Sequence, residues 1–226
     1  HAAQPAAFSV TQTSEAGAVY SAEEVAELSA IAKGAGLGVH MDGARFANAM
    51  AALNAGNETV SPADLTWRAG VDVLSFGATK NGALGAEAVI LFHTDLAEEM
   101  SFRHKRAGQL ASKMRFISAQ LAAYIEDGLW LRLADHANRM CNQLAEGLGG
   151  IDGVRLDVFG GANELFVELP RDTVLALREE KFEFYDWPET VAPGANLRST
   201  IRLVTRHDTS MNEVEGMIAA VKRLAG

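Results

Sequence analysis

Two residues that could do chemistry, Asp42 and Lys80, each stand just after an apolar segment, at 37–41 and 71–76. If these segments are neighbouring strands of a parallel sheet, the carboxylate and the amine face the same crevice, because ligands collect outside the carboxyl ends of such strands. A lysine amine can form an imine with an aldehyde, and a carboxylate can keep a pyridine nitrogen protonated. The pair would therefore suit pyridoxal phosphate.

The same two residues also have a simpler explanation. Most lysines are exposed and have no chemical role, and the pair Asp42–Gly43 is typical of a turn. Of the six lysines in the chain, however, Lys80 alone directly follows a strand pattern that is expected to be buried. Residue types and spacing leave both explanations open.

Strand and helix patterns alternate through the first half of the chain. Ser21 and Glu24 have the spacing of a capping box, and the helix that they begin is expected to end at Gly34. A second, short helix is predicted to start at Ser61–Pro62. The predicted strands lie within residues 7–13, 37–41, 71–76 and 88–92. This alternation predicts an α/β fold with a mainly parallel sheet covered on both faces.

The second half of the chain follows a different pattern. Residues 95–127 and 129–148 are predicted to form long helices. From residue 151 on, short strands alternate with helices, as in a small α+β domain. These strands and helices are expected at 154–158, 164–169, 171–180, 200–205 and 211–224. We therefore divide the chain into a large-domain part with its connecting helix, 1–128, and a small C-terminal α+β domain, 129–226.

Composition argues against several classes of function. The formal charge of −9 disfavours nucleic acid as a partner, because phosphate contacts need clustered Lys and Arg. No apolar run reaches the length of a membrane span. The single cysteine, Cys141, allows no internal disulfide and fits a reduced, cytoplasmic setting. The histidines lack paired carboxylates at metal-ligand spacing, so no metal site is predicted.

Five segments of the chain resemble the low-specificity L-threonine aldolases, a family of pyridoxal-phosphate enzymes. Val39–Ala49 is similar to the family's HMDGAR segment, and Asp72–Gly82 is similar to its cofactor-lysine segment in the form TKNG. Shorter similar stretches are Thr13–Tyr20, Lys113–Phe116 and Ile201–Thr205. The resemblance runs along essentially the whole chain. It implies fold type I, the aspartate aminotransferase-like fold, with an incomplete large domain and a small C-terminal domain.

The resemblance also implies roles for individual residues. Lys80 would be catalytic and would hold pyridoxal 5′-phosphate as an imine, while Asp42 would pair with the pyridinium nitrogen. Arg45 would lie near the ring oxygen or the substrate carboxylate. Arg202 would bind the substrate carboxylate as a bidentate fork, with a surface strand arginine as the alternative. Arg206 is a weaker candidate, because the family often has histidine at that position.

His1 is a second catalytic candidate by resemblance. In the family a histidine that approaches the substrate hydroxyl precedes the stretch similar to Thr13–Tyr20, and counting back places it on His1, where it could take the hydroxyl proton. A frayed terminal residue is the alternative. About a third of a complete family member, including the cradle for the cofactor phosphate, is expected before His1. These 226 residues alone would therefore retain the cofactor weakly or not at all.

The reaction that the resemblance implies is cleavage of threonine or allo-threonine, both β-hydroxy-α-amino acids, to glycine and an aldehyde. A cytoplasmic homodimer or homotetramer is expected. Two alternatives stay open: another reaction on the same fold, such as β-elimination, transamination or hydroxymethyl transfer, and a noncatalytic remnant. The basic stretch Arg103–Arg106 is either a solvated helix face or a phosphate or subunit contact.

Overall fold

The computed structural model of the chain describes residues 4–56, 59–156, 160–187 and 198–225. These residues form two compact units. The first contains the residues up to Ser14 together with Val19–Leu133, and the second contains Glu15–Ala18 together with the residues from Ala134 on. The domain boundary between residues 128 and 129 remains a prediction.

A four-stranded sheet organises the first unit. Its strands are β1 (Ala7–Thr11), β2 (Gly38–Gly43), β3 (Val73–Gly77) and β4 (Glu87–Leu91), which lie in that order across the sheet. The first three strands are parallel, and β4 runs antiparallel to β3. The mainly parallel sheet predicted from the alternation of strands and helices is therefore confirmed.

Helices complete the first unit. They are α1 (Ala22–Gly34), α2 (Phe46–Leu53), α3 (Asp95–Arg106), α4 (Arg115–Ile125) and the first residues of α5 (Leu129–Gly149). The predicted capping box begins α1: the Ser21 hydroxyl accepts the Glu24 N–H at 3.2 Å, and the Glu24 carboxylate accepts the Ser21 N–H at 2.7 Å. Two of the N–H groups at the start of this helix are satisfied in this way.

Two of the predicted helices are wrong in detail. Residues 95–127 do not form one helix, because Gly108, with a φ of +70°, lies in the left-handed conformation that ends α3. The helix expected from Ser61–Pro62 is a turn that leads into a short 3₁₀ helix, Trp67–Ala69. There the Thr66 hydroxyl donates to the Pro62 carbonyl at 2.6 Å, and the Thr66 N–H donates to the Ala63 carbonyl. Because the backbone N–H of Thr66 does not reach the Pro62 carbonyl, the α-helical hydrogen-bond pattern does not continue.

The core of the first unit lies on one face of its sheet. Alternate residues of β2 and β3 are buried there with Phe46 of α2, namely Val39, Met41, Leu74 and Phe76. Successive side chains of a strand point to opposite faces, so the residues between them, at positions 40, 42 and 75, share the other face. Those three side chains are polar and half-buried. The alternation therefore places the candidate Asp42 on the polar face of the sheet.

The second unit contains an antiparallel sheet. Its strands, in the order across the sheet, are β5 (Arg155–Leu156), β6 (Glu164–Pro170), β8 (Arg198–Val204) and β7 (Tyr185–Asp186). Helices α6 (Arg171–Glu179), α7 (Met211–Ala225) and most of α5 belong to the same unit. This is the small α+β arrangement predicted for the C-terminal part. Within the described ranges, no helix is both long and apolar enough to cross a membrane.

Candidate functional site

The ends of β2 and β3 lie side by side. In the parallel register Asp42 is opposite Ser75, and Gly43 is opposite Phe76. The two strands therefore end at the same edge of the sheet, where β2 leads to Arg45 and β3 leads to Lys80. This edge is formed by the carboxyl ends of parallel strands, where open α/β sheets place their ligands.

Glycines allow the two strand ends to approach closely. A Cβ on Gly77 would lie 2.9 Å from the Ala44 Cα and 3.0 Å from the Ala44 carbonyl oxygen. A Cβ on Gly43 would lie 2.8 Å from the Ser75 carbonyl oxygen. Real Cβ atoms do not approach backbone atoms this closely, so both positions need glycine for packing.

Asp42 is held by backbone contacts on both sides. Its Oδ1 accepts the Ala44 N–H at 3.0 Å, which closes a local turn after β2. Its carbonyl accepts the Gln12 N–H at 2.8 Å and so links β2 to the end of β1. The half-buried carboxylate is therefore fixed at the edge formed by the carboxyl ends of the parallel strands.

Lys80 stands in a short 3₁₀ turn, Thr79–Asn81, directly after β3. Its side chain is exposed, whereas its neighbour Asn81 is buried. The Asn81 amide donates to the Tyr124 hydroxyl at 2.6 Å and to the Trp130 carbonyl at 2.9 Å. These contacts fix the backbone of the turn and leave the lysine amine accessible.

Tyr124 supports this turn from α4. Burial raises the pKa of Tyr124 to about 12, with a further upward contribution from the charge of Glu87, against a lowering contribution from the Asn81 hydrogen bond. The tyrosine hydroxyl is therefore protonated at neutral pH and accepts the Asn81 amide proton through its oxygen. Neither Asn81 nor Tyr124 was expected from the sequence to support Lys80.

His40 lies two residues before Asp42 on the polar face of β2. One ring nitrogen is 2.8 Å from the Ser9 hydroxyl, and the other is 2.9 Å from the Ser75 hydroxyl. The ring therefore bridges from β1 to β3 across β2, a contact that the sequence did not predict. A possible signal was the polar alternation of positions 40 and 42 within an otherwise apolar strand.

Arg45 completes the candidates at this edge. It is half-buried and occupies the position just before α2. The structure thus brings Asp42, Arg45 and Lys80 to one edge of the same sheet. Of the other candidates, His1 lies outside the described residues, and Arg202 belongs to the second unit.

Arg202 is paired with a glutamate that the sequence did not single out. On β6, Glu164 is fully buried, and its Oε1 accepts the Arg202 Nε–H at 2.9 Å and also an Nη2–H. The signal available in the sequence was one carboxylate at the start of the apolar run 164–169. Arg206 instead forms an exposed pair with Asp208 at 3.1 Å. This contact weakens the case for Arg206 as a ligand-binding residue.

The basic stretch on α3 is exposed throughout. Within it, the Arg103 guanidinium donates to Glu99 one turn earlier at 2.7 Å. Exposed pairs of this kind contribute little to stability, which fits a solvated helix face. Nothing in this contact distinguishes that explanation from a subunit contact.

The residues at the edge of the first sheet suit the ring and aldehyde parts of pyridoxal phosphate. The half-buried carboxylate of Asp42 has the charge that a protonated pyridine nitrogen requires. The amine of Lys80 is accessible on the neighbouring strand end, as attachment to an aldehyde requires. A flat, cationic ring with a reactive carbonyl group would require a donor set of this kind.

Comparisons with known proteins agree with this chemistry. The model of the family described as beta-eliminating lyase matches residues 1–168. A low specificity L-threonine aldolase of Pseudomonas aeruginosa is 47% identical over 226 residues, which are 100% of this chain and 62% of that protein. The chain therefore spans less than two thirds of the length of this relative.

Solved structures give the same picture. A threonine aldolase of Leishmania major superposes with a TM-score of 0.86 at 28% identity, over 98% of this chain and 62% of that one. An aminotransferase structure from Clostridium difficile with bound pyridoxal phosphate matches with a TM-score of 0.70. It is 9% identical over 98% of this chain and 58% of that one, and it therefore shows the fold alone.

Proposed function

Since the chain belongs to the beta-eliminating lyase family, we propose that it is the greater part of a pyridoxal-phosphate-dependent aldolase. The proposed reaction cleaves threonine or allo-threonine to glycine and an aldehyde. The observation that carries the proposal is the common sheet edge of Asp42 and Lys80, which follows from the parallel pairing of β2 with β3. Its 47% identity to a threonine aldolase supports this substrate class.

When bound, pyridoxal phosphate supplies a protonated ring that accepts the electron pair of the breaking carbon–carbon bond. Asp42 would pair with the ring nitrogen and keep it protonated. Lys80 would hold the cofactor through its amine and, once released by the substrate amine, would move protons at the reacting carbon. The accessible lysine on a fixed turn supports both of these roles.

The substrate carboxylate needs a cationic partner. Arg202 and Arg45 are proposed to bind it, because a guanidinium matches the two oxygens of a carboxylate with two parallel hydrogen bonds. Fixing the carboxylate orients the bond to be broken relative to the ring plane, and positioning of this kind lowers a barrier substantially. His1 is proposed, by resemblance alone, to take the proton of the substrate hydroxyl.

β-Elimination is the second candidate, favoured by the description of the matching family. From threonine it would release ammonia and 2-oxobutanoate instead of glycine and acetaldehyde. The same Asp42 and Lys80 would serve it, so the products distinguish the two reactions.

The experiment is to load the protein by keeping pyridoxal phosphate in excess throughout, since these 226 residues alone are expected to retain it weakly. The glycine and acetaldehyde released from threonine are then measured. Lys80→Ala is expected to lower the rate by roughly 10²–10⁴-fold, the usual contribution of a positioned proton-transfer group. Lys222→Ala, which removes an exposed lysine of α7, is the matched control and should leave the rate unchanged. Full activity in Lys80→Ala would refute the role of the lysine, and 2-oxobutanoate as the main product would favour β-elimination.

A further inference from the structure

The pair of Glu164 and Arg202 involves only part of the guanidinium. Glu164 has no exposed surface, and the Arg202 side chain is 18% exposed. A single carboxylate oxygen accepts from both Nε and Nη2 of the arginine. These two nitrogens form the lateral edge of the guanidinium, and it is this edge that contacts Glu164.

The same guanidinium also lies over an aromatic ring. The Arg202 Cζ lies 5.6 Å from the centroid of the Trp187 ring, within the range of a cation–π contact. Trp187 in turn packs against Phe166 of β6 with the ring centroids 5.2 Å apart. The arginine is therefore held along one edge by Glu164 and by a further contact with the Trp187 ring.

The remaining edge of the guanidinium is the terminal one, between Nη1 and Nη2. Nη1 of Arg202 has no hydrogen-bond partner among the residues that the structure describes. A terminal edge presents two parallel N–H groups, which match the two oxygens of a carboxylate. A buried carboxylate also favours the charged arginine beside it, since a buried charge needs a paired partner.

We propose that Glu164 is a positioning residue that holds Arg202 so that its terminal Nη1–Nη2 edge binds the α-carboxylate of the amino-acid substrate. This inference rests on the proposed function, which makes Arg202 the carboxylate-binding residue. It assigns to Glu164 a role in the strength of carboxylate binding, while Arg202 and Arg45, which stay in place when Glu164 is changed, orient the bond to be broken. Ligands without a carboxylate gain nothing from it.

The chain contains a matched control pair on the same two strands. Glu168 of β6 pairs with Arg198 of β8, and its Oε1 accepts the Arg198 Nε–H. In the antiparallel register both pairs have the same diagonal offset, since Glu164 is opposite Val204 and Glu168 is opposite Thr200. The control pair differs in its exposure, with side chains that are 32% and 30% exposed. Glu168→Gln therefore reproduces the chemical change of Glu164→Gln at an equivalent place.

The experiment compares Glu164→Gln with Glu168→Gln in the protein loaded with pyridoxal phosphate. Glu164→Gln should raise the KM for threonine about tenfold and leave kcat within about threefold, because a loosened anchor costs binding before chemistry. By absorbance titration, the Kd for glycine should rise by the same factor, and the Kd for ethanolamine, which lacks the carboxylate, should not change. Glu168→Gln should match the unaltered protein in all of these measurements.

A second readout needs neither cofactor nor activity. Phenylglyoxal modifies accessible arginines, and the rate at Arg202 can be followed by peptide mass spectrometry. In the protein without cofactor this rate should rise several-fold in Glu164→Gln, because the lateral edge is no longer held by a charged partner. It should not change in Glu168→Gln.

Several outcomes would overturn the inference. Glu164→Gln could behave like Glu168→Gln, or it could weaken glycine and ethanolamine equally. If Glu164→Gln does not fold, Trp187→Leu decides, since loss of the ring should also weaken glycine but not ethanolamine. Unchanged glycine affinity in Trp187→Leu would then refute the positioning of Arg202. Arg202→Ala separates the positioning role of Glu164 from the carboxylate-binding role of Arg202. Normal glycine affinity in Arg202→Ala would refute the proposed function of Arg202 itself.

Discussion

Gly77 packs so closely against Ala44 that a Cβ at position 77 would lie 2.9 Å from the Ala44 Cα. The first of these residues ends the strand that leads to Lys80, and the second follows the strand that carries Asp42. The spacing of the proposed lysine and carboxylate therefore depends on a backbone contact between their strand ends.

Gly77→Ala is expected to destabilise the protein by about 1–3 kcal/mol, because the added methyl group overpacks a contact with backbone that cannot rotate away. Urea unfolding measures the loss, and the affinity for pyridoxal phosphate should fall with it. Gly85→Ala is the control, since a Cβ at position 85 would meet nothing within 4 Å. Equal stability of the two variants would contradict the close contact.

Asp42→Asn separates charge from structure at the carboxylate. In the unaltered protein the Ala44 N–H donates to Oδ1 of Asp42 at 3.0 Å, and the asparagine oxygen can accept the same N–H. The free energy of unfolding should therefore change by less than about 0.5 kcal/mol. Turnover of threonine should fall roughly 10²–10³-fold, because a fixed charge that stabilises the developing electron distribution is lost. Turnover within twofold of the unaltered protein would show that Asp42 is only a turn residue.

Asn81→Ala tests the support beneath the lysine turn. It removes one buried and one part-buried hydrogen bond and takes a partner from the buried Tyr124 hydroxyl, which should cost about 1–3 kcal/mol. Tyr124→Phe removes only the hydroxyl that accepts from Asn81 and should cost less. Urea unfolding of both variants and of the double variant gives the coupling between the two side chains. Strict additivity would contradict a direct hydrogen bond between them.

Asp64 provides a prediction of pH dependence. Hydrogen bonds from the Ser61 hydroxyl at 2.5 Å, and then from Arg68 at 2.8 Å, lower the pKa of Asp64 from 3.8 to about 2. Because the folded state favours the ionised form, this contribution to stability is complete above pH 3.8 and is lost as the pH falls toward about 2. Carbon NMR should find a midpoint near 2 that rises in Ser61→Ala more than in Arg68→Ala. A midpoint unaffected by Ser61→Ala would contradict the assigned cause.

Much of the fold could be predicted from local patterns. The capping box at Ser21 and the alternation of apolar residues before Asp42 depend on neighbours in the sequence, and the structure contains both features. The break at Gly108 was missed, because the surrounding residues favour a helix and one left-handed residue overrides them. The short strand β7 was missed because its two residues carry no periodic signal.

The candidate site was predictable only in part. Asp42 and Lys80 were predicted from their positions after strands and from the similarity of the surrounding segments to family motifs. Their common edge is a consequence of the parallel pairing of β2 with β3. Partners distant in sequence were not predictable: Asn81 meets Tyr124 across 43 positions, and Glu164 meets Arg202 across 38. Such contacts depend on tertiary packing, which a single sequence does not display.

The central claim is that Lys80 is the residue that holds pyridoxal phosphate, and borohydride trapping tests it most directly. Reduction of the loaded protein links the cofactor permanently to the lysine that holds it, and peptide mass spectrometry then locates the added mass. We predict one dominant labelled peptide, with the label on Lys80, and its disappearance in Lys80→Ala. A dominant label on any of the other five lysines, or unchanged labelling in Lys80→Ala, would contradict the account.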